Sequence, residues 1–314
     1  MPGRMRATTN SLHMESGDKL LGIAAALGSA ASWAVGAILF KRLGEQMSSF
    51  GMTLAKGAVS VILLGIAVWA TGFESMDSQT VMLMVLSGVV GIALGDTFFF
   101  QALKDLSPVS MIVLMVVGQV LTILLALIFL QEMPSPMEWI GISCILAGVG
   151  ITLSADLTGE RSPSGWRGVM FGLASVVCMS VSVIIAKVPL DHMSSIQATF
   201  ARMGSGTLGV FLVGMLSGQV GGWLAPLRNG AFLVNFLLAV CVVTFGGFWL
   251  SMFAIKHLDV AVANTLNSTE PIFVIPLAYF VLKEKINTRS VIGAISVVAG
   301  VALIFLNSPT KPTI

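Results

Sequence analysis

Long apolar runs, each closed by a short polar or turn-forming segment, follow one another along almost the whole chain. They lie at about 20–40, 50–72, 79–103, 107–130, 138–155, 166–187, 196–217, 231–255, 259–282 and 289–307. Each is close to the ~20 residues that cross a ~30 Å hydrocarbon slab as an α-helix rising ~1.5 Å per residue. The runs lack the two-residue alternation of barrel strands, and a backbone in lipid must satisfy its own hydrogen bonds. They therefore predict an all-α integral membrane fold of ten transmembrane helices. Between them stand the residues loops need: Gly72 to Ser78, Pro134 and Pro136, Arg161 to Gly165, Gly221 to Pro226, and Asn287 to Arg289. Trp69, Trp139 and Trp166 fall near predicted helix ends, where an amphipathic ring favours the headgroup layer.

Composition strengthens this picture. The chain has 314 residues, 56% of them hydrophobic, with only 17 Lys or Arg and 15 Asp or Glu, and a mean hydropathy of +0.94. A soluble domain with the usual ~25% charged residues would carry more than twice as many charges, so a soluble enzyme is excluded. A net charge of +2, with no basic run longer than Lys41-Arg42, gives no footing for nucleic acid. Cys144, Cys178 and Cys241 sit inside apolar runs without CxxC spacing and read as packing residues; no metal or other cofactor is implied. Residues 1–19 are polar, and the run after them lacks a small-residue cleavage site, so the first helix is expected to be retained.

The chain also repeats itself. Residues 95–153 align without a gap on 247–305 at an offset of 152, matching Gly95, Ala102, Lys104, Leu106, Glu132, Gly141 and Gly148 with Gly247, Ala254, Lys256, Leu258, Glu284, Gly293 and Gly300. At an offset of 146, Gly22, Ser29, Lys41 and Thr53 meet Gly168, Ser175, Lys187 and Thr199, and Lys56 meets Arg202. The change of offset places an insertion near 218–235, in a loop. The expected organisation is a polar tail at 1–19, a five-helix repeat at 20–155, a linker at 156–165, a second repeat at 166–307 and a tail at 308–314. Five is odd, so the halves enter the membrane from opposite sides as inverted repeats, an architecture that suits alternating access. Gly28/Ser32/Gly36 and Gly91/Gly95 supply small residues at helical spacing for close helix contacts.

Trp33, the phrase Gly95-Asp96 to Ala102-Leu103-Lys104, and the paired helix endings Leu130-Gln131-Glu132 and Leu282-Lys283-Glu284 give the chain a family likeness. It resembles the EamA branch of the drug/metabolite transporter superfamily over about 20–307. The second half is the better match, through Thr269-Glu270-Pro271, Gly293 and Ala299-Gly300; the first half has Gly118-Gln119 where the second has Glu270-Pro271. The resemblance implies ten helices, a bacterial inner-membrane location and export or exchange of small metabolites.

Polar residues inside the apolar runs are the candidate site. A mid-bilayer carboxylate costs at least ~2.5 kcal/mol, so Glu270 is expected to face the bundle interior, where reversible protonation would let it couple transport to protons. Pro271 removes an N–H and frees the carbonyl of Asn267, so an irregular turn there can line a cavity. Asp96 reads as a substrate or proton site, or as the partner of an internal cation. Gln119 on helix four and Asn264 and Asn267 on helix nine add hydrogen-bonding groups. Lys56 and Arg202, six residues inside helices two and seven, either snorkel to the headgroups or face the cavity as gating charges. Trp33 and Trp249 lie deeper than the interfacial tryptophans, and Phe98, Phe99, Phe100 and Phe248 cluster near them, a composition that suits a small-molecule pocket.

The sequence thus predicts a secondary transporter, a monomer or homodimer in the lipid bilayer, whose cavity is lined by helices 1, 3, 4, 8 and 9 and gated by 2 and 7. The substrate expected is a small polar or zwitterionic metabolite, with amino acids foremost, exported by alternating access with protons as coupling ion. The alternative is a lipid-handling or non-transporting scaffold. No HExxH, GxSG or GxGD centre supports an intramembrane enzyme; position 93, before Leu94-Gly95-Asp96, is Ala. Basic residues do not orient the chain: Arg4, Arg6, Lys19, Lys187, Lys256 and Lys311 share one side, against nine on the other.

Overall fold

The structure, a computed structural model, describes residues 2–118, 120–121, 124, 135–157, 165–190, 193–258, 260–283 and 286–307; the side chains of 2–18, 138, 155–157, 188, 260–261, 264–265 and 304–307 lie outside that description. Among the described residues there is no strand. The main helices are α1 (Pro2–Gly44), α2 (Ser49–Thr71), α3 (Ser78–Asp105), α4 (Pro108–Met115), α5 (Pro136–Leu157), α6 (Gly165–Leu190), α7 (Ser195–Leu216), α8 (Gly230–His257), α9 (Val260–Asn267), α10 (Glu270–Leu282) and α11 (Thr288–Asn307). Among the described residues six are long and apolar enough to cross a membrane: α2, α3, α7, α8, Lys19–Gly44 of α1 and Gly165–Lys187 of α6. Trp139–Ser154, Glu270–Leu282 and Thr288–Leu303 are shorter apolar helices. The predicted helix at 107–130 is represented by α4; most of the segment beyond it lies outside the described residues.

Local chemistry fixes where the helices begin. Ser48 and Ser194, matched at the 146 offset, cap α2 and α7 by accepting from the N–H of Gly51 and Gln197. Such a cap satisfies one of the four donors a helix start leaves open, worth about 1 kcal/mol. Ser107 caps α4 ahead of Pro108, whose missing N–H is no loss in a first turn.

The helices pack through small residues, and the contacts come in matched pairs. The Ser29 hydroxyl of α1 donates to the Gly247 carbonyl of α8 at 3.0 Å, and the Ser175 hydroxyl of α6 donates to the Gly95 carbonyl of α3 at 2.9 Å. Where α5 crosses α11, a Cβ on Gly148 would fall 2.5 Å from the Gly293 carbonyl oxygen, and one on Gly300 2.5 Å from that of Gly141. The chain numbers rise along one helix as they fall along the other, so α5 and α11 run antiparallel. The same holds for α2 and α7, where Gly57 meets Thr207 and Gly65 meets Phe200. Close approach of this kind binds helices in lipid, where apolar side chains gain nothing by leaving the solvent. The outer surface is apolar to match: Ile62, Trp69, Trp166, Leu216 and Phe280 are all exposed.

Three features differ from the sequence expectation. The run at 259–282 is not one helix: α9 ends at Asn267 and α10 begins at Glu270, with Ser268 and Thr269 forming a turn. Glu270 therefore stands at a helix start rather than mid-helix, where Pro271 in the first turn loses no hydrogen bond; Pro276 lies inside the same helix. Within α3 and α8, residues Val89–Asp96 and Val242–Trp249 wind as π-helix, at nearly equivalent positions of the two halves. The insertion near 218–235 is helical rather than irregular, with a turn of helix at Val220–Leu224 and a 3-10 turn at Ala225–Arg228; Trp223 stacks on Phe50 with centroids 5.2 Å apart.

Candidate functional site

The breaks in regular winding converge on one cavity of about 170 Å³. Its wall takes Trp33 from α1, Gly91, Ile92 and Phe99 from α3, and Arg202 from α7. Phe248, Ser251 and Met252 of α8 and Asn267, Ser268 and Glu270 of the α9–α10 turn close it. Ile112 and Met115 of α4 and Val176, Met179, Ser180 and Val183 of α6 complete its apolar side. The volume is below the ~300–1,000 Å³ of pockets for drug-sized ligands, so a molecule of a few heavy atoms fits.

Three aromatic rings form one wall. Trp33 meets Phe248 edge-to-face with centroids 4.7 Å apart, and Phe99 at 6.4 Å. This is the arrangement that ring quadrupoles favour. Polar atoms project from the other sides. Among the described residues the Glu270 carboxylate has no hydrogen-bond or ion-pair partner, and its place in the first turn of α10 sets it at the positive end of the helix dipole. The Asn267 amide donates to Ser251 at 3.4 Å while its buried Oδ1 lacks a donor among the described residues. Arg202, 6% exposed, donates from Nη2 to Ser182 at 2.8 Å and from Nη1 to the Met252 sulfur at 3.0 Å, and its buried Nε finds no acceptor among the described residues. A carboxylate and a guanidinium with unmet hydrogen-bonding capacity among the described residues thus border the same apolar space.

The expected site residues divide accordingly. Trp33, Asn267, Glu270 and Arg202 line the cavity. Gln119 lies outside the described residues, as does the side chain of Asn264. Asp96 and Lys56 do not line it: they form an ion pair with side chains 2% and 1% exposed, and the Lys56 ammonium lies 4.3 Å from the Phe248 ring centroid. Neither snorkelling nor a cavity-facing charge describes Lys56, because a carboxylate one helix away satisfies it inside the protein. Trp249 also misses the wall. It packs against Phe245 and Phe253, while its neighbour Phe248 faces inward. Phe248 and Trp249 both lie at the end of the π stretch Val242–Trp249, whose winding changes the helical phase that a regular α-helix would give. Helices α6 and α7 contribute to the wall beyond the set expected from sequence.

With this geometry in hand, comparison with known proteins is direct. The EamA-like transporter family matches the chain at residues 20–154 and again at 166–306. Protein LicB of Haemophilus influenzae is 22% identical over 287 residues, covering 87% of this chain and 93% of that protein. A "Probable terminal-alkyne amino-acid exporter" of Streptantibioticus cattleyicolor is 24% identical over 260 residues, covering 81% of this chain and 83% of that protein. A solved crystal structure superposes with a TM-score of 0.66 at 18% identity, covering 92% of this chain and 98% of that one, and so shares the fold. The apolar helical bundle and the family match define a multi-pass membrane transporter rather than an enzyme. The chain belongs to the EamA-like transporter family.

Proposed function

We propose that the chain is a ten-span secondary transporter built from two inverted five-helix repeats, 20–155 and 166–307, which exports a small zwitterionic metabolite from the bacterial cytoplasm by alternating access. Three observations support the inverted repeats: the double match to one family, the paired Ser29–Gly247 and Ser175–Gly95 bonds, and the antiparallel crossing of equivalent helices α5 and α11. Reciprocal contacts of this kind are what a two-fold axis produces, and an axis in the membrane plane supplies two mirrored ways of opening.

The substrate class rests on one observation: a carboxylate and a guanidinium, each with unfilled hydrogen-bonding capacity, border a small cavity with an aromatic wall. A neutral amino acid meets all three demands. Its carboxylate pairs with Arg202, its ammonium with Glu270 and the Asn267 carbonyl, and its side chain lies against Trp33, Phe99 and Phe248. The relative named "Probable terminal-alkyne amino-acid exporter" agrees with this class. Glu270 carries the coupling proton, because a carboxylate in an apolar cavity binds either a cation or a proton and cannot remain bare at low cost. Substrate ammonium and proton therefore compete for one group, and their alternation gives exchange of one for the other.

Purified full-length protein in liposomes tests this with a panel of radiolabelled neutral amino acids. Saturable uptake of at least one of them is expected, faster into acid-loaded vesicles, where protons leave as the amino acid enters. Glu270→Gln is expected to abolish the response to the pH gradient; an undiminished response in that variant removes the proton role.

A further inference from the structure

Two buried cations occupy matching positions in the halves, and a single carboxylate lies between them. Lys56 and Arg202 correspond at the 146 offset; Asp96 and Phe248 correspond at the 152 offset, as do Phe100 and Met252. Lys56 bonds Asp96 and stands 5.6 Å from the Phe100 centroid and 4.3 Å from that of Phe248. Arg202 has the mirrored surroundings: it donates to Met252, the counterpart of Phe100, and Asp96, the counterpart of Phe248, lies within its electrostatic reach. The i→i+5 winding of Val89–Asp96 brings Asp96 towards the face that carries Gly91, where a Cβ would sit 3.4 Å from the Arg202 Nη2. The acid has no duplicate, since position 248 is Phe. In this conformation it is Lys56 that holds the acid.

We infer that Asp96 is an exchangeable counter-ion: it holds Lys56 in the conformation described above, leaving Arg202 to receive the anionic group of the substrate, and passes to Arg202 in the opposite-facing conformation, leaving Lys56 in that role. The inference rests on the inverted-repeat reading, in which the halves trade conformations and Lys56 takes up the environment that Arg202 leaves. A buried charge without a partner is strongly unfavourable, so each conformation is complete only when substrate or Asp96 neutralises each cation. The empty carrier holds one cation short of a partner in either state, and the substrate supplies what is missing.

The test follows the accessibility of the cavity rather than transport. A cysteine replaces Ser180, a cavity-lining residue, in a full-length chain whose Cys144, Cys178 and Cys241 are changed to alanine. The protein is inserted in liposomes in one orientation, and a membrane-impermeant maleimide is added to one face or the other. Arg202→Met leaves Lys56 as the only claimant for Asp96 and should strengthen the facial bias of the parent chain; Lys56→Met should reverse it, each by roughly tenfold in the ratio of labelling rates. Shifts in the same direction, or none, overturn the exchange. If Lys56→Met does not fold, Lys56→Met/Asp96→Asn leaves no lone buried carboxylate and should erase the bias; a bias kept at the parent level overturns it. Labelling needs no substrate, so failure to transport any amino acid leaves this result standing. Unaltered labelling beside normal proton-driven transport refutes the exchange alone.

Discussion

Gly91 of α3 lies so close to Ser182 of α6 that a Cβ would fall 2.2 Å from the serine hydroxyl. The seam is held by reciprocal bonds: the Ser87 hydroxyl donates to the Ser182 carbonyl, and the Ser182 hydroxyl to the Ser87 carbonyl, both at 2.7 Å. Ser182 in turn accepts from Arg202, so this packing contact also aims a cavity-lining charge. Gly91→Ala is expected to destabilise the protein by about 1–3 kcal/mol through overpacking, read as a lower unfolding temperature in detergent. Gly204→Ala, at a position with nothing within 4 Å, serves as the control and should leave the temperature unchanged or higher.

Lys56 and Asp96 are worth more as a pair than either is alone. Lys56→Met is expected to cost the conformation described above about 3–5 kcal/mol, because it strands Asp96 there, less whatever Asp96 regains by passing to Arg202. Lys56→Met/Asp96→Asn should recover most of that loss. Unfolding of the singles and the double in detergent gives the coupling, and additive losses would show that the two side chains act separately.

Asn267 separates binding from folding. Its Oδ1 is buried without a donor among the described residues, so Asn267→Leu removes an unmet acceptor and should leave thermal stability intact or raise it. Losing a substrate hydrogen bond of about 1–2 kcal/mol should raise the KM for amino-acid uptake by about 5- to 30-fold. A fall in stability with an unchanged KM would place Asn267 in the scaffold instead.

Gln197 anchors the loop between α2 and α3. Its Nε2 donates to the Glu74 carbonyl at 2.7 Å and its Oε1 accepts from the Glu74 N–H at 3.0 Å, while the Glu74 carboxylate accepts from the Ser194 N–H at 2.9 Å. Gln197→Ala removes both Gln197 bonds from a fully buried position and is expected to speed hydrogen exchange at residues 72–77. Unchanged exchange there would mean that packing alone secures the loop.

Hydropathy revealed the helices because lipid penalises every polar interruption, and the offset of 152 paired Gly141 with Gly293 and Gly148 with Gly300 as equivalent positions, but the crossed contacts Gly148–Gly293 and Gly141–Gly300 follow only from how α5 packs on α11. An irregular turn at Asn267–Glu270 was legible, since Pro271 removes a donor from the ladder, but not that the run divides there into two helices, because Pro276 and Pro189 stay inside α10 and α6. The π stretches were not legible. An i→i+5 bond leaves no mark on composition, yet it settles whether Phe248 or Trp249 faces the cavity. Nor does sequence spacing reveal that Lys56 meets Asp96, since that depends on how α2 and α3 are rotated about their axes, which the full set of neighbours decides.

Trp223, carried on the extra turn after α7, lies flat on Phe50 at the start of α2, and its carbonyl roofs Gly51 so closely that a Cβ there would be 2.7 Å away. The matching corner, at the start of α7, is tied down by the Glu74 contacts instead. A carrier with two identical doors would run equally well whichever way it was installed. Unequal corners give this one a front and a back, so its two faces can differ in rate and affinity while the gradients alone set the direction of net flux.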